Sequence, residues 1–164
     1  MNKHCSSISF MFFLALQVAF IHIGFAQSQF GIQEQPTVVN STTKLVKNDT
    51  LFQLEVKLQI DSNWIVYDSI AGEDGPIPFT VLFSELKNVK VVGVDKGSQK
   101  KKFDEVFDID IYFFENQTVY TIFLQQIDPR LPCSVSGSFE YMCCNLSSGV
   151  CLPPVNNSFD FKEK

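Results

Sequence analysis

Leu51-Phe52-Gln53-Leu54-Glu55-Val56-Lys57-Leu58-Gln59-Ile60 changes character at every step from Phe52 onward. Phe52, Leu54, Val56, Leu58 and Ile60 are apolar, and Gln53, Glu55, Lys57 and Gln59 are polar. Successive side chains of a strand point to opposite faces. The stretch is therefore predicted to be a half-buried strand of an antiparallel sheet, with one face in a core and one in water.

Working outward, Thr37 to Val46 reads as a strand that ends at Lys47-Asn48-Asp49, behind a polar leader from Ser28 to Gln35. Asp61-Ser62-Asn63 turns the chain into a strand at Trp64-Ile65-Val66-Tyr67. Asp68 to Pro78 carries Gly72, Gly75, Pro76 and Pro78, and that density of turn residues predicts a loop. Phe79 to Phe83 and Val89 to Val94 are two further strands, joined through Ser84-Glu85-Leu86-Lys87-Asn88. The lysine-rich stretch Lys96 to Lys102 reads as a solvated turn leading into Phe103-Asp104-Glu105-Val106-Phe107. Ile109 to Phe114, Thr118 to Gln126, Cys133 to Cys144 and Ser158 to Phe161 complete the set. Eight or nine short strands with no helical period predict an all-β, immunoglobulin-like antiparallel β-sandwich. Many of the 17 phenylalanines fall within strands, where packing in the core accounts for them.

Residues 1–26 read as a signal peptide: Lys3, an apolar run from Ile8 to Phe25, and a small-x-small site at Gly24-Phe25-Ala26. Gln17 and His22 inside the run argue against an uncleaved anchor helix. The expected working part is a single domain over 27–164, periplasmic or secreted, and about 138 residues is enough to build a core without disulfides. Removing Lys3 leaves 12 basic against 18 acidic side chains, so no basic nucleic-acid footprint is present. Both histidines, His4 and His22, fall in the signal, which removes Ser-His-Asp and Cys-His catalysis and His-ligated metal sites from the rest. Cys133, Cys143, Cys144 and Cys151 lack the paired spacing of a zinc site, and no metal or other cofactor is expected. Five sequons, at Asn40, Asn48, Asn116, Asn145 and Asn156, are of the number that a chain rich in Asn, Ser and Thr yields by chance.

Tyr141-Met142-Cys143-Cys144-Asn145-Leu146-Ser147-Ser148-Gly149-Val150-Cys151-Leu152-Pro153-Pro154 places cysteines at both ends of a polar loop, at the base of a predicted hairpin. Alternation prevents Cys143 and Cys144 from both facing Cys151. Phe139, Tyr141 and Cys143 share one face, which makes Cys143 a small buried hydrophobe and leaves Cys144 outward for Cys151. Cys133, on the same strand as Cys143, cannot bridge to it without that strand folding back, and a static pair between Cys133 and another partner stays open. A disulfide closing so short a loop stabilises by only about 2 to 3 kcal/mol in the chain-entropy model. Spacing alone leaves two readings open, a permanent staple in a secreted binding module and a pair that exchanges.

The chain resembles the N-terminal periplasmic domain of the DsbD thiol:disulfide interchange reductases. The matching residues are Trp64 and Tyr67, then Gly75, Pro76 and Pro78, then Tyr141 and Cys144, and finally Cys151, Leu152, Pro153 and Pro154. The resemblance implies an immunoglobulin-like domain whose cysteines, Cys144 and Cys151, cycle between dithiol and disulfide. It implies as partners a thioredoxin-like domain or membrane-embedded thiol reductase, expected on a separate polypeptide, and oxidised extracytoplasmic proteins, with no small-molecule cofactor. It also implies a cap loop over the sulfurs at Asp104-Glu105-Val106-Phe107, with Phe107 the first cap candidate and Phe103 the second. Asp104 and Glu105 would keep a nearby thiol protonated. Three features depart from the family pattern: the cysteine loop is one residue longer, Cys143 adds a thiol beside the pair, and Ile65 stands where a histidine is common.

Overall fold

The alternation of Leu51–Ile60 is realised as a strand whose five apolar side chains all lie in the core, four of them with no exposed surface. Each contributes roughly 1.5 to 3 kcal/mol of burial free energy. The computed structural model describes residues 37–69, 76–104 and 109–163. Within them lie β1 (Val39–Asn48), β2 (Leu51–Ile60), β3 (Trp64–Ser69), β4 (Thr80–Lys87), β5 (Val89–Asp95), β6 (Lys100–Asp104), β7 (Ile109–Phe114), β8 (Gln117–Gln126), β9 (Cys133–Tyr141), β10 (Cys143–Asn145) and β11 (Val155–Glu163). All pairings are antiparallel, in three ladders ordered β1-β2-β8-β5, β10-β3-β7-β6 and β11-β9-β4. The fold is an all-β, immunoglobulin-like sandwich. Side chains from all three ladders meet in one core cluster that includes Phe52, Val66, Phe79, Phe114, Leu124, Phe139, Tyr141 and Phe159.

Several strand ends shift, the last strand running over Val155–Glu163 where Ser158 to Phe161 was expected and β3 extending through Asp68 and Ser69. Three further differences have a physical reason. The five-residue link between β4 and β5 shrinks to Asn88 alone. Asn88 takes a left-handed φ of 57°, and its side chain bonds the backbone of Asp128 and Leu131, pinning the corner where the chain leaves one ladder for another. Asn and Asp are the non-glycine residues that tolerate this conformation best. The lysine-rich stretch is not a turn throughout: Lys100–Asp104 form an edge strand. Lys100 pairs with Glu115, and Lys101 with Asp110 at 2.7 Å. Charged side chains are what an exposed edge requires if it is not to recruit another strand. Finally, the single strand expected from Cys133 to Cys144 breaks at Met142, where the chain leaves the β9 ladder and enters the β3 ladder as β10.

Candidate functional site: the cysteine hairpin

Met142 makes the crossing through contacts with the proline-rich loop. Its N–H donates to the carbonyl of Ile77 at 2.9 Å, and its Sδ accepts the N–H of Ile77 at 3.3 Å. Ile77 stands between Pro76 and Pro78, so the Gly-Pro-x-Pro element lies against the point that aims β10. Of that element, Gly75 lies outside the described residues. β10 then pairs with β3 in the register Cys143↔Val66, Cys144↔Ile65, Asn145↔Trp64.

Cys144 and Cys151 face each other in an isolated antiparallel bridge. The flanking bonds are Asn145 N to Val150 O at 2.8 Å and Leu152 N to Cys143 O at 2.9 Å. The cysteines thus form a non-hydrogen-bonded pair, the position in an antiparallel ladder where opposed Cα atoms approach closest. Their Cα atoms are 4.0 Å apart and the sulfurs are joined as a disulfide. Pro153 and Pro154 follow, both exposed, and having no N–H they end the return strand after this one bridge.

The faces divide as alternation requires. Cys143 points into the core cluster and is 2% exposed. Cys144 points to the opposite face, beside its cross-strand neighbour Ile65, yet it too is covered, at 4% exposed. The expectation of an outward Cys144 is corrected in this respect: of the two bonded cysteines, Cys151 is the exposed one. Burial pushes the Cys143 thiol above its ordinary pKa, and does the same to Cys133, with the Glu163 carboxylate adding to the shift. Both remain free, buried thiols, the environment in which cysteine is inert.

The supporting residues are placed as follows. Trp64 is half-buried against the core and stands opposite Asn145. Tyr67 is half-buried, and its carbonyl accepts the N–H of Phe79 at 2.6 Å. Tyr141 is 1% exposed and stacks on Phe139, a core role. Of the cap-loop candidates, Glu105 and Phe107 lie outside the described residues, and Asp104 is described only as the last backbone pair of β6, opposite Ile109. Phe103 is described and stands apart from the site. Its register partner is Asp110, whereas Ile111 and Phe113 continue the face that carries Tyr67, Ile65 and Cys144. Phe103 therefore belongs to the other face of the sheet, where it is 50% exposed. Sequence reasoning missed Met142, as the pivot, and Asn145, which accepts hydrogen bonds from Ser147 and Ser148 within the loop. The run Asn-Leu-Ser-Ser-Gly over 145–149 is the turn signal that could have revealed the second. Among the described residues, no group of three His, Cys, Asp or Glu side chains is placed to hold a metal ion.

Residues 33–163 match the family described as Thiol:disulfide interchange protein DsbD, N-terminal. The chain belongs to that family. As a DsbD N-terminal domain it is of the thiol:disulfide interchange class. No curated protein sequence matches it. Among solved structures, it is similar to the N-terminal periplasmic domain of ScsB from Proteus mirabilis, with a TM-score of 0.50 and 14% identity over 78% of this chain. It spans about half the length of that structure, 47%. The N-terminal domain of Neisseria meningitidis DsbD in the reduced form matches with a TM-score of 0.42 and 18% identity, over 80% of this chain and 96% of that one.

Proposed function

We propose that this DsbD N-terminal domain carries electrons outside the cytoplasm, from a thioredoxin-like domain or membrane-embedded thiol reductase to oxidised protein partners, with Cys144 and Cys151 as the working pair. On this reading residues 1–26 direct export and 27–164 form the domain, in the periplasm or secreted. The observation that carries the proposal is the asymmetry of the pair: Cys151 is an exposed residue and Cys144 a buried one, both at the base of a single hairpin. Exchange needs one thiolate that a partner can reach and a second close enough to resolve the mixed disulfide.

In the reduced domain the Cys151 thiolate attacks one sulfur of a partner disulfide, and the other partner sulfur leaves as a thiolate. The Cys144 thiolate then attacks the Cys151 sulfur and releases the partner's second thiolate. The partner has gained two electrons and the domain is left as the disulfide, to be reduced again by its donor through the reverse steps. Phe107, with Asp104 and Glu105, would cover the sulfurs until a partner docks, a role that comes from the family resemblance.

A permanent staple is the weaker reading, since the bond closes a loop of sequence separation 7 and would stabilise by only about 2.5 kcal/mol. The deciding experiment traps partners on a Cys144→Ser variant and identifies them by mass spectrometry. Partner proteins linked through Cys151 are expected. A disulfide in the wild-type protein that survives strong reductant while the domain stays folded would end the exchange reading.

A further inference from the structure

The loop between the two cysteines is held shut by bonds in which sulfur takes no part. Asn145 Oδ1 accepts three of them, from Ser147 N and Ser148 N, each at 3.0 Å, and from Ser148 Oγ at 3.2 Å. The Asn145 carbonyl accepts a fourth from Gly149 N at 2.9 Å. Ser148 Oγ in turn accepts the N–H of Val150 at 3.3 Å. Gly149 turns the chain with a left-handed φ of 70°, which costs glycine little. Asn145 is itself fixed, half-buried opposite Trp64 on β3, whereas Leu146 to Val150 are exposed. One anchored side chain thus organises a polar turn that water would otherwise solvate and loosen.

We propose that Asn145 is a positioning residue for exchange, holding Cys151 in register with Cys144 while the bond between them is open. This rests on the exchange reading above. When two glutathione thiols reduce the protein disulfide, they give up two electrons and two protons and become one glutathione disulfide, and the protein gains two thiols. The equilibrium depends on how far the two protein sulfurs separate once freed. A loop that frays gains conformational freedom only in the dithiol, which favours reduction. A loop already clamped by Asn145 gains little, so the dithiol remains a ready electron donor and Cys144 stays in place to resolve a mixed disulfide.

The test equilibrates the full chain in glutathione redox buffers and follows two signals: alkylated mass, and the fluorescence of Trp64, the single tryptophan, which faces Asn145 across the sheet. Asn145→Ala is expected to lower the equilibrium constant for closing the bond about tenfold, a rise of about 30 mV in midpoint potential for a two-electron couple. Asn145→Asp keeps an acceptor oxygen in the same place and is expected within about twofold of wild type on the same scale. Ser148→Ala is expected to shift in the same direction as Asn145→Ala by a smaller amount. An Asn145→Ala value within twofold of wild type, or an Asn145→Asp value as displaced as that of the alanine variant, overturns the proposal. If Asn145→Ala does not fold, Ser148→Ala decides, and no shift there overturns it. A wild-type disulfide that excess dithiothreitol cannot open removes the exchange reading, and this role with it, a failure visible before any variant is made.

Discussion

Cys143 and Cys144 are adjacent in sequence and nearly equal in burial, yet they sit in two chemically different regions. Cys143, the first residue of β10, points into the core cluster that also holds Phe139, Tyr141 and Cys133 from β9. Cys144 belongs to the hairpin, outside that cluster, and is bonded to an exposed partner. Solvent exposure of the residue itself does not separate them. What separates them is which face of the strand each occupies, and whether a second sulfur lies across the ladder.

The comparison breaks most visibly if the core side is cut. Phe139→Ala is expected to cost about 3 to 5 kcal/mol in denaturant unfolding, while the Cys144–Cys151 bond still forms in whatever fraction stays folded. Next in size, Cys151→Ser is expected to lower stability by about 2.5 kcal/mol or less and to abolish exchange with small disulfides. Cys143→Ala should leave exchange within twofold of wild type at a cost of about 1 kcal/mol, the order expected for removing a small buried group. Retained exchange in Cys151→Ser, or lost exchange in Cys143→Ala, would reverse the assignment of the two regions.

A pH series sharpens the same contrast with the disulfide kept oxidised. The folded Cys133 and Cys143 thiols ionise above their ordinary value of 9.0. Above that pH the unfolded chain loses those protons while the folded one keeps them, so stability falls as pH rises. In Cys143→Ala the decline above pH 9 should be shallower, as read from denaturant midpoints. An unchanged slope would mean that its thiol is not shielded. The smallest effect belongs to Phe103→Ala, on the far face of the cysteine-bearing sheet. Its reaction rate with a small disulfide is expected to match wild type, whereas Phe107→Ala should react several-fold faster if Phe107 caps the sulfurs.

The sandwich was legible because the alternation of β2 and the Asn and Asp turns act locally, through side-chain direction and left-handed backbone. The cysteine pairing was legible for the same reason, since neighbours on a strand cannot share a face. Three features were hidden. Lys100 to Lys102 are equally compatible with a turn and with a charged sheet edge, and only the pairing with β7 distinguishes them. Met142 gives no sign of a strand break, because the crossing depends on Ile77, distant in sequence. Cys144 read as outward because periodicity gives a direction and not what lies over it.

Both borders of the cysteine-bearing ladder are blunt: β6 is lined with lysines, and β10 is three residues long with a return strand stopped by Pro153 and Pro154. No visitor can stitch its own backbone onto such borders at length. On the exchange proposed above, encounters are then confined to side-chain touches around Cys151, and a partner that has swapped its electrons has little to hold it from drifting away.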